Sequence, residues 1–462
     1  MLCSDNPHYF VFRGRNGVLI GSGEHYGAVL NLDFDFKKYL KQLGADGLNH
    51  TRTFSGAYCE PLGAFNIASN TLAPAASRYV TPWARSPVAG YANGGNKFDL
   101  DRWDPAYFAR LKEFVNEAAR RRVIVEMNLF CPFYGEEQWR LSPMNAANNV
   151  NQVGKVARTN VYTLDKSGGL LPVQDKMVQK IVSELNSFDN LYFEICNEPY
   201  FGGVTIEWQH HIADSIAATE RSLPKQHLIS QNIANHKAKV SSPHPMISIL
   251  NFHYAAPPET VGMNYGLQRA IGDNETGFRG TKDLVYRSEA WEFILAGGSL
   301  FSHLDYSFTV GHEQGDFVYP ASQPGGGTRE LRRQFRILKN FIETFAGQAS
   351  ERQPFVRLKP DFALLAEPLP SVWSATVLGD ASRAYAIYIG PKKFAKDGGM
   401  QARPEKVTLR LNLAAGKWSG AWIDPRTAGA TGESFDHAGG VKELTTPEIQ
   451  EDMALRLVRG GK

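Results

Sequence analysis

The stretch Asn190-Leu191-Tyr192-Phe193-Glu194-Ile195-Cys196-Asn197-Glu198-Pro199-Tyr200 decides how the chain is read. Its mostly apolar run has the pattern of a strand buried on both faces, and it ends in Asn-Glu-Pro, where proline cannot continue a hydrogen-bonded ladder. A carboxylate is thereby set on the tip of a buried strand. In parallel α/β architectures chemistry gathers at such tips, because the loops vary freely while the strand beneath stays rigid. An isolated Asn-Glu-Pro reads equally well as a polar turn, so the flanking segments have to decide.

Working outward, short apolar runs at 17–23, 47–54, 123–130, 227–232, 246–254, 269–274 and 299–306 read as further strands. Between them, apolar residues at helical spacing mark helices at 33–44 (capped by Asp33), 104–121, 171–188, 205–222, 282–296 and 328–345. Eight strands alternating with helices over about 330 residues predict a (β/α)8 TIM barrel, with the fifth and seventh units the weakest in pattern. The excursion 55–101 is rich in Gly, Pro, Ala and Ser yet carries Tyr58, Tyr79, Trp83 and Tyr91; loops of that length are expected to wall a site. Past Pro354 the texture changes to short strand-like runs with turn residues between them, which predicts a small antiparallel β-sandwich. The expected division is 1–352 for a catalytic barrel and 353–462 for an accessory domain.

A length of 462 residues suits one large and one smaller unit. A net charge of +3 is too small to argue for nucleic acid or an anionic membrane surface, and no run of about 18 apolar residues predicts a spanning helix. The four cysteines (Cys3, Cys59, Cys131, Cys196) lack C-x-x-C or zinc-like spacing and read as buried thiols, a Cys59–Cys131 disulfide being the minor alternative. Met1-Leu2-Cys3 runs almost at once into structured sequence, so no signal peptide is expected; the protein is then intracellular, or it is a secreted or periplasmic chain whose leader is missing.

In a barrel the C-terminal strand tips converge on one mouth. The polar residues found there are Glu24, His25, Arg52, Asn128, Asn197, Glu198, Gln231, Asn232, His253, Tyr254, Glu275, His303 and Asp305. Burying so many polar groups is costly unless they bind one another or a ligand. Glu198 on the fourth strand and Glu275 on the seventh face each other across the mouth, where their carboxyl groups would come to roughly 5 Å, the separation of a retaining glycosidase. Arg52 is expected to keep Glu275 ionised as nucleophile, while the facing negative charge raises Glu198 so that it holds a proton. Asn197 is a candidate for the sugar's 2-hydroxyl, and His253 or Tyr254 for orienting the nucleophile. Glu24, His25, Asn128, His303 and Asp305 are candidate substrate ligands, and Trp83 and Trp139 candidate stacking platforms.

These residues, Asn197-Glu198-Pro199 ending the fourth strand, Glu275-Thr276-Gly277 ending the seventh, Arg52 on the second and His253-Tyr254 on the sixth, resemble the clan A glycoside hydrolases, the superfamily of the cellulase-like enzymes. The resemblance covers about residues 10–350 and implies Glu198 as acid/base and Glu275 as nucleophile. It departs at Asn128, where cellulase-like members usually place His, at Leu304-Asp305-Tyr306, where they place Trp, and in the adjacency of His253 and Tyr254. The β-rich tail resembles the accessory domains such enzymes carry.

The expected function is therefore a retaining glycoside hydrolase acting on an oligo- or polysaccharide without metal or organic cofactor. Two readings stand against it. One is a catalytically silent carbohydrate-binding barrel. The other is a metal-dependent barrel hydrolase, which needs His-x-His on strand one, where Ser22-Gly23-Glu24-His25 offers a single His.

Overall fold

A computed structural model describes residues 1–345, 354–380, 383–396, 398–401 and 403–460. Eight parallel strands form a closed barrel: β1 (Leu19–Gly23), β2 (His50–Phe54), β3 (Ile124–Phe130), β4 (Leu191–Cys196), β5 (Ile229–Asn235), β6 (Ile249–His253), β7 (Ala270–Thr276) and β8 (Leu300–Leu304). Closure comes from β8 lying beside β1, with Leu300 opposite Leu19 and Leu304 opposite Gly23. No residue of β3 or β4 is exposed, as their unbroken apolar reading requires.

Side-chain caps start the helices where the chain has Asp or Thr to offer. Asp35, not Asp33, caps Phe36–Ala45 by accepting from the amides of Lys37 and Lys38. Asp104 caps Pro105–Arg120, and Thr328 caps Arg329–Glu343. Among the described residues no helix separates β5 from β6, and the helix after β6 is only Glu259–Asn264, so the barrel's outer ring is thin there.

The barrel interior is layered. At its base Leu19, Ile124, Tyr192, Ile249, Ala270 and Leu300 pack with Phe10, which comes from a hairpin of Phe10–Phe12 and Arg15–Gly17. Above that plug the filling turns polar. Glu126 on β3 accepts from Asn251 on β6 and Asn274 on β7 at 2.8 and 3.1 Å, and Glu194 on β4 accepts from Arg52 on β2 at 2.8 Å and from Asn274 at 3.0 Å.

The long excursion after β2 is partly regular, because Trp83–Ala89 pairs antiparallel with Asn96–Trp103. Trp83, Tyr91 and Phe98 of this hairpin are buried in the main core. All four cysteines are free and buried, so no Cys59–Cys131 bridge forms. No helix among the described residues is long and apolar enough to cross a membrane.

The C-terminal region is a six-stranded antiparallel sheet together with a two-stranded one, Thr408–Leu413 against Gly440–Thr445. The expected division at 352/353 falls outside the described residues. What fastens the sheet to the barrel is a buried ion-pair network on the helix Asp283–Leu295. Arg287 donates to both oxygens of Asp452 at 2.8 and 3.0 Å, to Glu451 at 2.8 Å and to Gln334 at 3.0 Å, and Tyr388 donates to Asp452 at 2.9 Å. Removing one side of such a pair strands a buried charge. Arg287→Ala is therefore expected to cost about 3–5 kcal/mol, read from denaturant unfolding followed by tryptophan fluorescence. A loss below about 1 kcal/mol would mean that Asp452 regains water once the arginine is gone.

Candidate active site

The ends of β4, β6 and β7 bring three titratable groups together. One oxygen of Glu198, one oxygen of Glu275 and one ring nitrogen of His253 lie within 4.8 Å of one another. They stand at the barrel's C-terminal mouth. A cleft of about 330 Å3 opens there, lined among others by His25, Tyr26, Tyr134, Asn197, Glu198, Tyr254 and Glu275. That volume lies at the low end of ordinary small-ligand pockets.

Glu275 is held from three sides. Tyr254 donates to Oε1 at 2.7 Å, while Tyr26 and Arg52 donate to Oε2 at 2.9 and 3.2 Å. Arg52 is itself fixed by Glu194 beneath it and by the Asn197 side-chain oxygen at 2.7 Å, with the Tyr26 ring 4.7 Å from its guanidinium carbon. Burial pushes Glu194 up to about 7, against the opposing charge of Arg52. In Glu126 burial is outweighed by the hydrogen bond from His50 and the Arg52 charge, which leave its carboxyl below the usual range.

Glu198 accepts from Tyr134 at 2.6 Å and Tyr200 at 3.3 Å, and His253 Nδ1 lies 3.1 Å from its Oε1 and 3.5 Å from Glu275 Oε1. With two carboxylate oxygens facing it, Nδ1 carries the hydrogen. The expected rise at Glu198 is not found. Burial does push this carboxyl up, but the hydrogen bond from His253, that ring's charge and the two tyrosine hydroxyls together bring it below the usual range. The balance at His253 is the mirror image, since burial lowers it and the two glutamates raise it above 6.5. The proton is thus shared within a coupled pair and leans toward the imidazole.

Three site residues sit in the left-handed backbone region: Tyr26 at φ 60°, Glu198 at φ 36° and Tyr254 at φ 54°. Non-glycine residues adopt it at a cost that surrounding structure must offset, and such strain clusters where side chains have to be aimed. Here each of the three is fixed by a hydrogen bond to a carboxylate or from a phenol.

Of the residues expected at the mouth, His25, Asn197, Glu198, Tyr254 and Glu275 line the cleft, with Arg52 and His253 directly behind them. Six do not. Glu24 turns back to accept from the amides of Gly27 and Ala28 and the Thr71 hydroxyl, holding the loop after β1. Asn128 donates to the Phe130 carbonyl within its own strand end. His303 approaches Ser22 at 3.1 Å beneath the mouth, and Asp305 is bound by Arg332 at 2.6 Å and by Ser307. Trp83 and Trp139 are core residues, the latter donating to the Val156 carbonyl.

Several cleft residues lie on loops that the strand pattern does not single out: Tyr26, Glu60, Phe65, Leu72, Tyr134, Phe201 and Phe278. Glu60 accepts from Tyr58 at 3.1 Å and from Asn70, and lies 3.8 Å from His25 Nε2. Burial, assisted by the Glu275 charge, pushes it up to about 7. Burial also lowers His25 to about 4, so its imidazole faces Glu60 and the cleft without charge near neutral pH.

The three clustered groups offer a donor set for a cation. Both oxygens of Glu275 already accept hydrogen bonds, and a cation there would share this carboxylate with the Arg52 guanidinium, which lies 3.2 Å from its Oε2, an arrangement that like-charge repulsion opposes.

No protein-family model and no curated protein sequence matches this chain. Solved structures do, among them several glycoside hydrolases. A putative glycoside hydrolase from Bacteroides vulgatus is similar with a TM-score of 0.67 at 15% identity, covering 100% of this chain and 82% of its own. A glycoside hydrolase family 5 protein from the same organism is similar with a TM-score of 0.64 at 13% identity, covering 99% and 93%. At such identities the likeness is one of fold, a barrel followed by an antiparallel β-domain over the full length.

Proposed function

We propose that the protein is a retaining glycoside hydrolase acting on an oligo- or polysaccharide, with Glu275 as nucleophile and Glu198 as acid/base, and with a catalytic barrel over 1–352 and an accessory domain over 353–462. The observation that carries this is the approach of the two carboxylates to within 4.8 Å across the mouth, which suits direct attack on the anomeric carbon; an inverting pair stands wider to admit a water.

In the first step a Glu275 oxygen bonds to the anomeric carbon as the glycosidic bond breaks, and the departing oxygen takes a proton from Glu198. In the second, Glu198 removes a proton from water, whose oxygen displaces Glu275 and restores both groups. Arg52, Tyr26 and Tyr254 stabilise the negative charge of Glu275 and aim it, and Asn197, which accepts from Arg52 and donates to Tyr134 at 2.8 Å, would meet a sugar hydroxyl. His253 supplies the proton that Glu198 delivers to the leaving group.

The alkaline limb of kcat/KM should then follow the shared proton. Because His253 is raised above 6.5, the pair retains that proton to higher pH than a lone imidazole would, and activity falls only as pH climbs past that value. A limb near 4–5 would place the acid proton on an isolated carboxyl. The function itself is tested on a panel of aryl β-glycosides and polysaccharides, with the anomer first released followed by proton NMR. Retained configuration supports the reading, whereas inverted product or no turnover on any substrate overturns it.

A further inference from the structure

Beside the cleft, across Phe278, lies a second and larger space. A groove of about 1020 Å3 runs between the barrel mouth and the C-terminal sheet, and Phe278, just after β7, lines both it and the cleft. Its outer wall is the turn that follows the strand Ala384–Pro391. That turn is built: Phe394 bridges to Met400, the Gly398 amide donates to the Ala395 carbonyl at 2.9 Å, and Gly398, at φ 82°, leaves no room for a Cβ beside Val285 of the barrel helix.

The two spaces differ in charge. Three carboxyl groups, Glu60, Glu198 and Glu275, line the cleft, with Arg52 and His253 behind them. The groove wall carries Lys392, Lys393 and Lys396, all exposed, and none of them has a carboxylate partner among the described residues. Arg279, also in the groove, is occupied by Glu289 and lies over the Phe394 ring. The groove's own acid, Glu292, accepts from Ser374 at 3.1 Å, and burial pushes it up to about 7. Like charges set close together repel one another, and a patch of them beside a substrate cleft attracts a ligand of opposite sign.

Resting on the glycosidase reading, we infer that this groove continues the substrate path beyond the cleft and receives a uronic-acid residue of an acidic polysaccharide, its carboxylate meeting Lys392, Lys393 and Lys396. A neutral sugar occupies the cleft, where a carboxylate would meet Glu60 and Glu275. The ring of the acidic sugar can lie against Phe278 or Phe394.

The test is affinity electrophoresis of the full chain in gels containing polygalacturonate, hyaluronan or glucuronoxylan, against neutral galactomannan and polyphosphate. Wild type is expected to be retarded by at least one uronate polymer and not by galactomannan. The triple variant Lys392→Glu, Lys393→Glu, Lys396→Glu should bind that polymer about tenfold more weakly, with unchanged kcat/KM on a neutral aryl glycoside. Added salt should weaken the wild-type interaction, since exposed charges are screened. No retardation by any uronate polymer, equal retardation of the triple variant, or equally tight binding of polyphosphate overturns the inference. Turnover of neutral aryl glycosides alongside any of those results leaves the glycosidase reading standing. Lysine-dependent uronate binding without turnover of any glycoside would overturn the glycosidase reading alone.

Discussion

Glu275→Ala is expected to abolish turnover, with a fall in kcat of about 10^4 to 10^6-fold, the range seen when a covalent nucleophile is removed. Nothing near Glu275 can replace it. Tyr26, Tyr254 and Arg52 are hydrogen-bond donors to this carboxylate, and Glu60 is engaged by Tyr58 and Asn70. Truncation leaves a space at the anomeric face, and azide placed there should restore activity on an activated aryl glycoside while giving a glycosyl azide of inverted configuration. That inversion separates a missing nucleophile from a damaged fold. Stability should change little, because Arg52 keeps Glu194 and Asn197 as partners. Full activity in this variant would sink the assignment of Glu275.

Glu198→Ala should divide substrates by leaving group. A positioned general acid contributes about 10^2 to 10^4-fold, and only where the departing oxygen needs a proton. Unactivated oligosaccharides should lose that factor in kcat/KM, and dinitrophenyl glycosides, whose phenolate departs unaided, should keep the first step and lose the second. The glycosyl-enzyme then accumulates, so KM falls along with kcat and a burst of phenolate precedes the steady state. Uniform loss across leaving groups would instead assign Glu198 a positioning role. The alkaline limb of the pH profile should vanish in this variant, because the proton that His253 shares with Glu198 no longer has a carboxyl through which to act.

The barrel was legible because strands such as Ile124–Phe130 and Leu191–Cys196 are buried on both faces and read as apolar runs, and the alternation with helices carried the weaker 269–274 segment, which forms Ala270–Thr276. Strands formed for other reasons were not legible. Ala430–His437 is largely solvent-facing and exists through its pairing with Gly416–Ile423, so its Gly, Glu, Ser and Asp carry no apolar signal. The hairpin Trp83–Ala89 with Asn96–Trp103 is broken by Pro87 and register shifts, and its alternation is correspondingly faint.

In the site, Glu198 and Glu275 could be found from sequence because each stands at the end of a strand reading, where the chain leaves the barrel at its mouth. Asp305 and Glu24 satisfy the same rule and serve elsewhere, one tied to Arg332 and the other to amides of its own loop. Strand position fixes which end of the barrel a side chain occupies, whereas its partners fix whether it faces substrate. Tyr26 and Tyr134, which hold the two carboxylates, lie in loops without periodicity and meet Glu275 and Glu198 from 249 and 64 residues away in sequence. The proton was misplaced for the same reason. From sequence, the charge of Glu275 should have raised Glu198, but His253 comes between them and reverses the sign.

The sequence by itself determined the barrel, the β-rich tail and the two strand tips at which carboxylates meet, because burial and turn chemistry are local properties that leave a periodic trace. The tertiary structure decided which polar groups touch, where the shared proton rests, and that a lysine-rich turn closes a groove beside the cleft. Those depend on distances between residues remote in sequence, and electrostatic energies follow distance in space.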